Sequence, residues 1–262
     1  MDFILLMVTT NMLNWIEQGT AMKQTLRNII IIISIINSIA FCQHSVTFFG
    51  TISYSAYSMG DLEGIQNELL NDIRETNIPA EITESFPPYF GYEFGFLIPV
   101  TDTAGSTLSI GGFFEHGSTG GRIHYQDYSG ELSVDQLAVE TSIGSLIDYE
   151  TNVSEMFNFG LNFAVSYTSS SFSITSYLQV GDESQEEELN FSSSSFSFEP
   201  AIVPSMNLLG MRFGISLSYL IYIPSNLEFD QYSEVYLINK SGDEVTINWS
   251  GFRLGLQMRV SL

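Results

Sequence analysis

Gly251-Phe-Arg-Leu-Gly-Leu-Gln-Met-Arg-Val-Ser-Leu262 places an apolar residue at every second position. Phe252, Leu254, Leu256, Met258, Val260 and Leu262 form one set; Arg253, Gly255, Gln257, Arg259 and Ser261 form the other. Successive side chains leave a β-strand on opposite sides, so a period of two marks a strand with two unlike faces. The same alternation recurs upstream within residues 46–54, 90–98, 108–114, 137–149, 157–168, 196–202 and 211–223. Phe157, Phe159, Leu161, Phe163, Val165 and Tyr167, for instance, alternate with Asn158, Gly160, Asn162, Ala164, Ser166 and Thr168. Eight such segments predict an all-β chain.

Turn residues between the segments fall into two kinds. Residues 101–105, 150–153 and 204–210 read as tight turns; 60–87, 130–134, 181–188 and 224–245 read as longer polar connections. Short and long connections alternate, as they do in a membrane barrel with tight periplasmic turns and long external loops. Leu62, Ile65, Leu69, Leu70 and Ile73 predict one short amphipathic helix in the first long connection, with Asp61, Glu63, Glu68 and Asp72 on its solvated face. Pro87 and Pro88 end that connection. A soluble sandwich or lipocalin also alternates. Three features favour the membrane: small polar residues on one parity, a Phe, Leu and Ile face on the other, and aromatics near segment ends. Those aromatics are Tyr54, Tyr89, Tyr149, Tyr167, Tyr222 and Trp249. The alternation also runs to Leu262, a place where assembly machinery reads outer-membrane barrels. The predicted fold is an eight-stranded antiparallel transmembrane β-barrel, an up-and-down meander with one short loop helix.

Composition excludes several functions. The 262 residues include 30 acidic and 8 basic side chains, for a net charge of -22. A nucleic-acid binder needs a basic stripe. Charged residues are 15% of the chain, against about 25% in an ordinary soluble domain, so the acidity reflects scarce Lys and Arg. Cys42 is the one cysteine, which removes disulfide frameworks and cysteine-based metal sites.

Lys23 and Arg27 precede the apolar run 29–36, continued by Ile39, Ala40 and Phe41. That is the grammar of a secretory signal, about 14 residues long and short of the roughly 20 that span a bilayer as a helix. Ala40 and Cys42 suit a cut before Gln43. Met22 opens a complete signal, so it is the expected start. Residues 1–42 are therefore read as extension and signal, and 43–262 as the barrel domain, exported through the Sec pathway.

Glu84-Ser-Phe-Pro-Pro-Tyr-Phe-Gly-Tyr-Glu93, Tyr125-Gln-Asp-Tyr-Ser-Gly-Glu131 and Trp249-Ser-Gly-Phe-Arg-Leu-Gly-Leu256 resemble a family of small porin-like outer-membrane β-barrel proteins of Gram-negative bacteria. The resemblance covers roughly residues 43–262. It implies an eight-stranded barrel in the outer membrane, in a family whose members mostly lack an assigned activity. Such proteins commonly end in an aromatic residue; this chain ends in Leu262.

Eight strands leave an interior just wide enough for side chains to fill. Arg212, Arg253 and Arg259 share the inward parity of their strands, as do Glu93, Glu115, Glu140 and Glu199 on others. Charges in a narrow lumen must be paired and hydrogen-bonded, so these seven predict a structural network that closes the barrel. The expected role is structural or surface-interactive, with no enzymatic activity and no cofactor. Expected partners are outer-membrane lipids, lipopolysaccharide, and the barrel-assembly machinery during insertion. Asp182, Glu183, Glu186, Glu187 and Glu188 form an acidic loop run that could bind divalent cations weakly, although it lacks calcium-loop spacing. Two rivals stand beside this reading. One is a narrow gated pore. The other is a lipid-acting hydrolase using His116 or His124 around the Gly-rich bend 117–121 near Ser118, where no Gly-x-Ser-x-Gly elbow is present.

Overall fold

Each of the eight alternating segments lies in its own long strand of a computed structural model, which describes residues 45–262 apart from Ala104, Ser129 and Ser233. The signal segment, Met22, the cut before Gln43 and the 1–42 boundary lie outside the described residues. The strands are β1 (Thr47–Tyr57), β2 (Tyr89–Thr103), β3 (Ser106–Gln126), β4 (Gly130–Asn152), β5 (Phe157–Val180), β6 (Glu183–Leu208), β7 (Met211–Tyr222) and β8 (Gly251–Ser261). Each pairs antiparallel with its sequence neighbour. β8 then pairs with β1, from Thr47↔Ser261 to Tyr57↔Gly251, and closes the ring. Closure pairs both edges of the eight-strand sheet within the ring, which is what allows strands to sit in hydrocarbon.

The faces are arranged inside out relative to a soluble protein. On β8, Phe252 and Leu256 are 72% and 70% exposed, while Arg253 and Arg259 are 5% and 4% exposed. The outward apolar row of β5 runs from Phe157 to Tyr167. Its ten steps of about 3.3 Å each, tilted about 40°, span roughly 25 Å, the height of a membrane barrel's apolar band.

Tight turns do lie at one end, where Gly105 and Gly210 take the positive φ that closes hairpins; the turn expected at 150–153 falls at 153–156, because Glu150 to Asn152 belong to β4. The turn expected at 204–210 is shorter, because Pro204 to Leu208 belong to β6. At the opposite end two expected loops are strand. β3 and β4 run on to Gln126 and Gly130, and β5 and β6 meet at Gly181 and Asp182. Glu183, Glu186, Glu187 and Glu188 therefore project from a β-arm instead of a loop, paired across to Val180, Tyr177, Ser176 and Thr175. Unbroken pairing of β3 with β4 from Ser106 to Gln126 also removes the bend expected at 117–121. Register shifts against β3 lie outside the 117–121 stretch, between Ile82 and Glu84 and between Pro99 and Thr101, the second at a proline, which has no N–H for the ladder.

The helix α1 (Gly60–Glu75) follows β1. Its first turn carries Asp61 and Glu63 and its last turn Arg74, signs that suit the helix dipole. Leu62, Ile65 and Leu70 turn inward and join Ile123, Phe172, Phe191, Leu227, Ile247 and Trp249 in an apolar core at this end. Trp249 and Tyr222, expected at the membrane interface, are instead buried at 0% and 2% exposure. The Trp249 indole donates to Ser170 Oγ at 2.9 Å and stands edge-on to Tyr57. Nor is the acidic face of α1 simply solvated. Asp61 accepts from Thr246 N and Oγ1, Glu68 from Lys240 N, and Asp72 from Lys240 Nζ, which ties α1 to the β7–β8 connection. The carboxylate of Asp72 beside Lys240 raises the lysine pKa above its ordinary value.

Candidate functional site: the lumenal charges

Inside the ring, side chains stack in layers along the axis. Below the α1 core, β8 points Arg253 across the lumen to three strands on the other side. Its Nη1 donates to Glu115 on β3 and, at 3.0 Å, to Glu199 on β6; Nη2 donates to Glu140 on β4 at 2.7 Å. Tyr57 OH donates to the same Glu140 oxygen at 3.1 Å, and the guanidinium carbon lies 5.8 Å from the Tyr57 ring centre. Charge-assisted bonds of this kind are the strong ones, and a guanidinium fork is shaped to make several at once. Glu115 and Glu140, at 6% and 0% exposure, have no water with which to replace that partner.

One layer down, Glu93 faces Thr51 and Glu115 across the neighbouring strands and stands outside the ion pairs. Gln257 Nε2 donates to Thr51 Oγ1. Phe49, Leu97, Phe113 and Leu146 form a second apolar cluster here. It fits because Gly144 lies under the Phe113 ring, where an added Cβ would stand 2.6 Å from a ring carbon.

At the short-turn end, Arg259 donates to both oxygens of Asp148, at 2.9 and 3.1 Å, to Glu150 at 3.3 Å, and from Nε to Gln257. Arg212 donates to Glu150 and to Asn207, with its side chain 29% exposed at the mouth. The structure thus brings Arg253 together with Glu115, Glu140 and Glu199, and places Arg212 and Arg259 in a second group lacking the expected glutamates. Asp148 and Glu150 complete that second group and were missed. They share the inward parity of β4 with Glu140, so the alternation that placed Ile147 and Tyr149 outside already put them inside.

The histidines do not converge. His116 faces outward, its ring 5.2 Å from that of Tyr92, and shares a hydrogen bond with Thr141. His124 lies eight residues further along the same strand, roughly 26 Å away at about 3.3 Å per residue, with Glu131 3.9 Å from its Nδ1. Among the described residues no three His, Cys, Asp or Glu side chains gather to hold a metal ion.

No protein-family model and no curated protein matches the chain. Among solved structures it is similar to a major outer membrane protein from Thermus thermophilus, at 9% identity and a TM-score of 0.46, over 82% of this chain and 99% of that one. It is also similar to Ail, the attachment invasion locus protein of Yersinia pestis, at 12% identity and a TM-score of 0.31, over 82% and 97%. The fold rests on the ring of hydrogen bonds itself, not on these likenesses. An apolar band around a closed antiparallel meander, with arginine and glutamate sealed on its axis, gives this chain the fold of the eight-stranded outer-membrane β-barrels.

Proposed function

We propose that the chain is an outer-membrane barrel with a plugged lumen, whose role is carried by its long-loop end. One observation carries this reading. Arg253 holds Glu115, Glu140 and Glu199 together across the axis, so this level of the lumen is occupied by bonded side chains. The apolar core of α1 and the β7–β8 connection covers the same axis above. A channel needs water and mobile counter-ions where this lumen has ion pairs and packed rings. The β5–β6 arm, α1 and the 223–250 connection together give the external end a large built surface, which suits a structural or surface-interaction role. Outer-membrane lipids and lipopolysaccharide surround the band on this reading, and barrel-assembly machinery inserts it.

Planar-bilayer recording tests the proposal. The folded protein should leave the membrane without steady conductance across both polarities. Steady, ion-selective current would overturn it in favour of the narrow pore.

A further inference from the structure

We infer that the long-loop end holds a saccharide site at the upper rim of the apolar band, and that its occupant is the uncharged sugar headgroup of a membrane glycolipid. This rests on the membrane reading above. Alternation supplies the location. The outward row of β5 changes from Tyr167 to Ser169, and that of β6 from Phe196 to Ser194, so the surface turns from apolar to hydroxyl at one height.

At that height β6 loses its strand partner. Its pairing with β7 ends at Ser197↔Tyr222, and its next partner is Glu228, opposite Ser192. The gap forms an open surface depression of about 600 Å³ lined by Tyr167, Ser192, Ser194, Asn226, Glu228 and Tyr236, among others. That size lies within the ordinary range of small-molecule sites. Two tyrosines, 47% and 39% exposed, offer flat faces for the C–H side of a sugar ring. Hydroxyls, one amide and one carboxylate offer donors and acceptors for its hydroxyl groups.

The polar groups are held in place beforehand. Glu228 accepts from Glu234 N at 2.8 Å through one oxygen, leaving the other for a ligand. Asn226 donates to Glu244 and keeps its carbonyl oxygen. The carboxylates at 228 and 244 disfavour a phosphorylated or sulfated sugar, so the chemistry selects an uncharged one. Position decides between free sugar and glycolipid. A headgroup in this depression leaves its tail beside Tyr167 and Phe196, where the apolar band begins.

The test uses the full barrel folded in dodecylphosphocholine micelles and reads amide NMR shifts of Ser194, Asn226 and Glu228. Dodecyl maltoside doped into the micelles should move these signals to saturation, and maltose alone should need at least about tenfold higher concentration, because the tail raises the local concentration of the sugar. Glu228→Gln should weaken the maltoside response about tenfold, the scale of one charge-assisted hydrogen bond, with the signals around Arg253 unmoved. Maltose acting as well as dodecyl maltoside would overturn the glycolipid assignment. No shift at these residues, or a response indifferent to Glu228→Gln, would overturn the site. Cell fractionation reads the membrane placement separately, so the two readings fail independently.

Discussion

Arg253 is a buried cation with three carboxylate partners, and its removal is not equivalent to removal of one of them. Arg253→Ala leaves Glu115, Glu140 and Glu199 close together without a counter-charge, and breaking a buried pair in this way costs about 3–5 kcal/mol. Glu140→Gln leaves Arg253 bonded to Glu115 and Glu199 and should cost less. Urea unfolding in lipid vesicles should rank the stabilities wild type, Glu140→Gln, Arg253→Ala. Equal stability of wild type and Arg253→Ala would remove the network from any structural role. Parity alone made these residues legible, because an arginine between Phe252 and Leu254 has only one way to face. Parity does not say which carboxylate on the far wall each arginine reaches. That depends on strand stagger, which is why Arg212 and Arg259 met Asp148 and Glu150.

At the scale of single elements, β5 and β6 contain a change of phase that the sequence displays. Up to Tyr167 the apolar set faces out; from Phe172 onward Phe172 and Ile174 face in while Ser171 and Ser173 face out. Below the switch the strand is built for lipid and above it for water, so the polar stretch reads as a turn although the ladder never stops. The arm beyond the switch is locally paired. Excising residues 178–185 and joining Tyr177 to Glu186, its ladder partner, through Asn-Gly should therefore leave the barrel folded, shown by an unchanged boiling-dependent gel shift. The β6–β7 seam is the opposite case. Pro200 and Pro204 leave ladder gaps opposite β7, while pairing of the same residues with β5 is complete. Each proline removes one N–H. Hydrogen exchange should open β7 before β4 or β5, and Pro200→Ala with Pro204→Ala should slow exchange along β7, each restored bond contributing about 1 kcal/mol. Exchange in β7 as slow as in β4 would contradict this ordering.

Across the whole molecule, the charge excess has an address. The long-loop end carries Arg74, Arg122 and Lys240 as its only basic side chains among the described residues, and most of the chain's 30 acidic residues lie there. Counting segments gave the strand number, and alternating turn lengths gave the meander. Closure was expected from the barrel reading, but the register that makes it was not legible, because no local pattern states which residues of the first and last strands pair. Closure depends on the β1–β8 pairing from Thr47↔Ser261 to Tyr57↔Gly251. Without β8, one edge each of β1 and β7 would face hydrocarbon with unpaired N–H and C=O groups, at several kcal/mol per group. Arg253 and Arg259 would leave with it, stranding Glu115, Glu140 and Asp148 in the same step. A chain ending at Ser250 should therefore lose all heat-dependent mobility on unboiled gels and stay out of lipid vesicles. The hairpin-trimmed chain, which keeps the ring, should retain both properties. A folded, vesicle-inserted product from the chain lacking β8 would show that closure is dispensable and that the inside-out faces alone drive insertion.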